Sequence, residues 1–279
     1  MIKIKERAEL YFDENALRYK EDHYQRDSLH PKWVRHHAIL KLIQEFLPSR
    51  EKIILDIGCG PGFLASDLSL LGYKGIGADT SKEMIDIAKN QFKKINNGDW
   101  GFEIGDAEKT QFEDNKFDCV VASGVLEYMD EDMKMLAEMH RILKPGGYLI
   151  INVSNKLGYA TSLNILTNTV KKLPYVMRLF SIIRKRILGA EYGADNLGFA
   201  PRKHFVFKFK RVLAESNFAV QKNISHHYSL FPAPISTLTH SILRKVDHWL
   251  DFLGRTPLRV FAASNLICAQ KITRLEAIL

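Results

Sequence analysis

Asp56-Ile57-Gly58-Cys59-Gly60-Pro61-Gly62 sets a carboxylate in front of three glycines spaced Gly-x-Gly-x-Gly. Glycines let a backbone turn sharply and come close to a ligand. A dinucleotide loop is spaced Gly-x-Gly-x-x-Gly and holds a pyrophosphate at a helix N-terminus. An aspartate ahead of the loop repels a pyrophosphate and suits a cation carrying an ammonium group. Asp79 follows roughly twenty residues later, where an acid can accept hydrogen bonds from both hydroxyls of a ribose. The alternative for Asp79 is an acid placed to favour a helix dipole. Gly105-Asp106-Ala107 adds a third carboxylate, able to accept from an adenine amino group, with the Ala107 N–H beside it.

These residues need strand ends to carry them. The apolar run 53–57 is bounded by Gly58 and reads as a buried parallel strand. Further strands are expected at 75–79, 102–104, 117–122 and 148–153, the last after a Pro145-Gly146-Gly147 turn. Helices are expected from Pro31, with Val34, Ala38, Leu42 and Phe46 at helical spacing, from Ser81 as N-cap, and over 130–143. Part of 11–28 is expected to be helical, as is 203–216, and 218–225 with 264–272 suit a hairpin-like pair closing the sheet. Strands alternating with helices predict an α/β, Rossmann-like doubly wound sheet. The expected organisation is a helical cap (1–50), a ligand-binding core (51–154), a basic helical insertion or lid (155–203) and a C-terminal part completing the sheet (204–279).

Five ordered motifs carry a family resemblance over about 35–153. Ile54-Leu55-Asp56-Ile57-Gly58-Cys59-Gly60-Pro61-Gly62 resembles the first motif of class I S-adenosylmethionine (SAM)-dependent methyltransferases, Asp79 the second and Gly105-Asp106-Ala107 the third. Phe117-Asp118-Cys119-Val120-Val121-Ala122-Ser123 with Val125-Leu126-Glu127-Tyr128 resembles the fourth, and Leu143-Lys144-Pro145-Gly146-Gly147 the turn before strand five. The layout is similar to the ubiquinone-pathway O-methyltransferases of the methyltransferase type 11 group. The resemblance implies SAM as cofactor, with Asp56, Gly58, Cys59, Gly60, Gly62, Asp79, Thr80, Met84, Asp106, Ala107, Ser123 and Val125 around it. His30-Pro31-Lys32-Trp33-Val34-Arg35 resembles the stretch in which an arginine reaches the SAM carboxylate, which makes Arg35 the candidate; the alternative is an exposed helical arginine. Where that family often has Leu-Glu-His, this chain has Leu126-Glu127-Tyr128. A histidine base is absent there, and Tyr128 can orient an acceptor or pack on the methionine end. His204 and His227 are the other candidate bases, each with a packed or solvated alternative.

The net charge of +8 is localised. Between 139 and 190 there are nine Lys or Arg and no Asp or Glu, leaving 31 basic against 32 acidic residues elsewhere. Within that stretch Val176, Leu179, Phe180, Ile183 and Ile187 share one helical face, so 174–188 reads as a basic amphipathic helix. It suits either peripheral contact with a membrane or a lid on the chain's own core. Aromatic residues are not interleaved with its charges, which disfavours nucleic acid. Three scattered cysteines with no Cys-x-x-Cys fit a reducing cytoplasm and no metal. Residues 1–10 lack the apolar core of a signal peptide, and no run approaches the ~18 apolar residues of a membrane span. The expected activity is methyl transfer to a small-molecule acceptor, lipid-like or soluble, in the cytoplasm or at the inner membrane face. A non-catalytic SAM-binding protein is the alternative of another class. Acceptor atom and oligomeric state are left open.

Overall fold

The structure is a computed structural model that describes residues 3–23, 31–95, 99–158, 200–226 and 256–272. The insertion helix at 174–188 and His227 lie outside the described residues. Seven strands form one sheet in the order β3-β2-β1-β4-β5-β7-β6. They are β1 (Ile53–Ile57), β2 (Lys74–Asp79), β3 (Trp100–Ile104), β4 (Phe117–Ala122), β5 (Leu143–Ser154), β6 (Phe218–His226) and β7 (Ser264–Lys271). Strands β1 to β5 pair in parallel; β7 lies antiparallel between β5 and β6. The expected closing pair is therefore present, with its second strand inserted inside the first.

The helices are α1 (Ile4–Glu14), α2 (Ala16–His23), α3 (Pro31–Phe46), α4 (Phe63–Leu70), α5 (Lys82–Ile95), α6 (Asp132–Ile142) and α7 (Val206–Glu215). Successive residues of the central strands point to opposite faces, so the sheet has two cores. Ile54, Cys119, Val121, Ile150 and Leu266 pack with Ile39, Leu42 and Ile43 of α3 and Leu64 and Leu68 of α4. Leu55, Val120, Leu149, Ile151 and Ile267 pack with Met135, Leu136 and Met139 of α6 and Phe209 and Leu213 of α7. Burial on both faces is why these strands read as continuous apolar runs. Ser81 caps α5 as expected, its Oγ accepting from Met84 N–H at 3.1 Å.

Two elements differ from expectation. The first helix begins at Ile4, ahead of the aromatic stretch from Tyr11. The Pro145-Gly146-Gly147 turn is a bulge inside one long strand, since Phe117 pairs with Leu143 but Cys119 with Tyr148. Lys271 stabilises that region from β7, donating to the carbonyls of His140 and Leu143, both at 2.7 Å, and to Asn115 Oδ1.

Candidate functional site

β1 is the switch point of the sheet: β2 lies to one side and β4 to the other. Chains leaving the two strands diverge there, opening a crevice at their carboxyl ends. A cavity of about 260 Å³ occupies it. The loop after β1, the ends of β2 and β4, and α1 and α3 supply its walls.

Gly58, Gly60 and Gly62 all have positive φ, at +70°, +50° and +79°. The tight loop satisfies its own amides: Gly58 and Cys59 N–H donate to Ala78 O, and Gly60 N–H donates to Asp79 Oδ2 at 2.9 Å. They are not left free for a phosphate, as the Gly-x-Gly-x-Gly spacing implied. A Cβ on Gly58 would collide with Val125 Cγ2, so the loop is closed down onto the β4 side.

Asp56 is the penultimate residue of β1, buried, opposite Gly77 of β2. No side chain among the described residues is hydrogen-bonded to it. Burial, and then the nearby Asp79, push its carboxyl up to about 8. Asp79 is more fully held: Ser81 N–H donates to Oδ1 at 3.0 Å and Gly60 N–H to Oδ2. Burial still raises its carboxyl, against the lowering effect of those amides. Two buried acids in one protein cavity, one of them without a hydrogen-bond donor, are expensive, and together they suit a ligand that brings a cation and several hydroxyl donors. Arg35 of α3 supplies the opposite charge. A Cβ on Gly124 would sit 3.5 Å from Arg35 Nη2 and 3.8 Å from Glu127 Oε1, so the missing side chain lets cation and acid approach the same point.

The other side of the cavity is aromatic. Phe12 of α1 meets Tyr128 edge-on at 5.2 Å, Tyr19 at 5.5 Å and Tyr11 at 5.3 Å. Lys32 Nζ lies 4.2 Å from the Tyr19 ring centroid. Ion pairs and hydrogen bonds anchor α1 over the opening. Lys5 Nζ reaches Asp106 at 2.6 Å and Glu108 at 2.7 Å, and Ser81 Oγ donates to Asp13 at 2.8 Å.

Of the expected residues, Arg35, Asp56, Gly58, Cys59, Gly60, Asp79, Thr80, Met84, Ala107, Ser123, Val125 and Tyr128 line this one cavity. Three do not. Gly62 is the N-cap of α4, backed by Ala88 and Phe102, and shapes the loop from outside the cavity wall. The Asp106 carboxylate is taken by Lys5 and by Glu108 N–H, so among these three residues Gly105 and Ala107 form the wall. His204 is also displaced from the cavity: its Nε2 sits 3.1 Å from Asp132 Oδ1, beside an Arg202–Asp132 ion pair of 2.9 Å. Burial raises the Asp132 carboxyl, but His204 and Arg202 outweigh it and hold the group below its usual range. That histidine is a structural partner of α6. Cys59 is buried and its thiol is pushed up by burial, then by Asp79 and Asp56, which makes it packing rather than a nucleophile.

The sequence reading missed Lys5, Glu9, Phe12, His36 and Glu127 in the cavity wall. Glu127 stands in the fourth motif, next to the position where the family histidine is absent. The α1 residues carried only a weak signal, Ala8 and Phe12 at i, i+4 spacing.

Residues 55–151 match the family model described as a methyltransferase domain. The chain is 30% identical over 121 residues to the "Ubiquinone biosynthesis O-methyltransferase" of Coxiella burnetii, covering 42% of this chain and 50% of that protein. It is 26% identical over 230 residues to "Phosphoethanolamine N-methyltransferase 2" of Caenorhabditis elegans, covering 78% of this chain and 50% of the relative. The chain thus spans about half the length of these curated relatives. Its fold matches that of the magnesium protoporphyrin IX methyltransferase of Synechocystis PCC 6803, with a TM-score of 0.61 at 15% identity over 96% of this chain and 100% of the other. The matched domain, the sheet order and the acids at the carboxyl ends of β1 and β2 support a class I SAM-dependent methyltransferase domain around residues 55–151.

Proposed function

We propose that this chain binds SAM in the crevice at the ends of β1, β2 and β4 and transfers its methyl group to a small molecule. One observation carries the reading: Asp56 and Asp79 lie at the carboxyl ends of adjacent strands and line a single cavity, with Arg35 also in its wall. Asp56 would hold the ammonium of the amino-acid tail and Arg35 its carboxylate. Asp79 would hold the ribose hydroxyls through the lone pairs its two amide donors leave over. Met84, Ala107 and Val125 are buried and would flank the adenine, with Thr80 and Ser123 at the edges. Bound SAM supplies an already activated methyl group, so the protein's task is to align the acceptor and exclude water. Phe12 and Tyr128 would form the acceptor's apolar wall.

The test is calorimetry with S-adenosylhomocysteine (SAH), followed by incubation with methyl-labelled SAM and a fractionated cell extract. Saturable binding and label in the small-molecule or lipid fraction are expected. Binding without label in any fraction would favour a non-catalytic SAM-binding protein. No binding heat would remove the reading.

A membrane-presented acceptor is the second reading, and a specific surface supports it. Leu157, Phe207, Leu258, Val260 and Phe261 are exposed. Asn155 Nδ2 donates to Val260 O at 2.8 Å, tying two of these segments together. Lys156 and Lys208 both sit over the Phe205 ring, at 5.1 and 5.4 Å from its centroid. Residues 155–158, 200–214 and 256–263 hold no carboxylate. Apolar side chains among cations suit an anionic bilayer surface. Among the described residues no helix is long and apolar enough to cross a membrane. Flotation with phosphatidylglycerol vesicles should retain the protein at low salt and lose it in Lys156→Glu/Lys208→Glu. Unchanged flotation, or none in the unaltered protein, favours a soluble acceptor.

A further inference from the structure

We propose that Glu127 receives the acceptor: it accepts a hydrogen bond from the reacting O–H or N–H and takes that proton, so the substrate class is a hydroxyl- or amine-bearing molecule with an apolar or aromatic body. The inference rests on the methyltransferase reading of the same cavity and goes further by naming the acceptor's chemistry.

Glu127 lies in the 3₁₀ turn Leu126–Tyr128 that follows β4, and its side chain lines the cavity. Its Oε2 is fully enclosed and has no hydrogen-bond partner among the described residues. A buried acceptor left without a donor costs about 1–3 kcal/mol, and more when charged. In a ligand site, the natural source of the missing donor is the ligand. The backbone on either side of the acid is fixed: Tyr128 N–H donates to Val125 O, and Glu127 O accepts from Arg202 N–H at 2.8 Å. The acid is therefore held in place while its Oε2 has no donor.

Of the other titratable groups in or near the cavity, His36 is held by Asp67 at 2.8 Å and Glu9 lies on α1 under the field of Lys5. Asp56 and Asp79 belong to the glycine-loop side, His204 to Asp132, and Tyr128 is a phenol packed edge-on against Phe12. Three charged groups act on Glu127: Arg35 and Lys32 from α3, and His204 from the segment before α7. Burial raises its carboxyl and these cations draw it back down only in part. A carboxylate raised by burial is a better proton acceptor than an exposed one. In the proton step the acceptor's X–H bond breaks toward Oε2, the electron pair stays on X, and Glu127 becomes a neutral acid. X is then the nucleophile that methyl transfer needs. Phe12, Tyr128 and Met129 adjoin this acid and fit an apolar body.

The experiment compares the full chain with Glu127→Gln and Glu127→Asp. SAH affinity is measured by calorimetry, fold by thermal melting, and transfer from labelled SAM into an extract's small-molecule and lipid fractions between pH 6 and 9. Glu127→Gln should keep its SAH affinity within about threefold and lose transfer by about 10²-fold or more, together with the acidic limb of the pH profile. Glu127→Asp should recover part of the rate with the limb displaced, and mass spectrometry should place the methyl on oxygen or nitrogen. Transfer by Glu127→Gln at the unaltered rate overturns the proposal. So does a loss of SAH affinity matching the loss of rate, since Glu127 would then act by positioning Arg35. So does a product methylated on carbon. Absence of SAH binding in the unaltered protein overturns the underlying reading as well, and thereby separates the two failures.

Discussion

Replacing Asp56 by Asn should make the free protein more stable and the ligand-bound protein weaker. The carboxyl is raised from 3.8 to about 8, so between those values the folded chain holds a proton that the unfolded chain has released. By linkage, stability then falls as pH rises through this window, and the loss is complete above the folded value. The rise of about four units, at about 1.4 kcal/mol each, sets a ceiling of about 6 kcal/mol at pH 8.5 and above. Water entering the cavity and the residual cost of burying an amide reduce it, and a gain of about 1–3 kcal/mol for Asp56→Asn is expected there. At pH 4 the two proteins should differ little. Urea unfolding at several pH values measures this directly, because the gap must widen between pH 4 and 8 and then level.

The same shift controls binding. A cation placed against Asp56 draws its pKa down and expels the proton. At pH 7, a group with a pKa near 8 is about 90% protonated, so binding SAH should release close to one proton. Calorimetry in two buffers of different ionisation enthalpy reads that number. In Asp56→Asn this proton release should vanish, and affinity should fall roughly 10- to 150-fold, the equivalent of losing about 1.5–3 kcal/mol of hydrogen bonding to a charged group. If binding heats do not depend on buffer, and the variant's stability tracks the parent's at every pH, then Asp56 is not a buried acid awaiting a cation and the site has been misread.

Gly58→Ala should cost about 2–4 kcal/mol, because its φ is positive and its Cβ would meet Val125; Gly101→Ala, whose Cβ would make only ordinary contact with Ile76, should be within about 0.5 kcal/mol of the parent in stability. Lys271→Met should destabilise by about 2–3 kcal/mol in urea, since two α6-end carbonyls and Asn115 lose their donor, while SAH affinity stays within twofold. His204→Gln should lower the melting temperature through its lost contact with Asp132 and, because His204 also acts on Glu127, displace the acidic limb of the transfer profile while the maximal rate stays within about threefold; a loss of rate of about 10²-fold or more would return the histidine to the chemistry.

The parts of this structure legible in the sequence are those fixed locally. Ile53–Ile57 is bounded by a glycine and buried on both faces, so its run of apolar residues says strand and its last acid says site. Thr80 and Ser81 follow a strand end and could be placed by cap chemistry. What was not legible depends on contacts between distant residues. Asp106 looked free because Lys5, 101 residues earlier, gives no local sign that it will fold across to it. His204 looked like a base because its partner Asp132 lies 72 residues away. The bulge in β5 was hidden because Pro-Gly-Gly has turn chemistry in either setting, and only the pairing of Phe117 with Leu143 keeps the chain in the sheet.

The misplaced residues also share a direction. Asp106 and His204, the groups that left the cavity, each found an opposite charge within the protein, at 2.6 Å and 3.1 Å. Asp56, which stayed, has no opposite charge acting on it, and Glu127, though Arg35 and Lys32 act on its charge, has no hydrogen-bond donor at Oε2. Natural chains satisfy buried charge wherever folding alone decides, so an unsatisfied acid persists where something besides the chain completes it. Two such acids line one cavity, one on the glycine-loop side and one beside the aromatic wall. By that logic the cavity is built for two positively polarised partners at once, which is what methyl transfer between a sulfonium donor and a proton-bearing acceptor requires. Local rules fail here because stability has been given up for function.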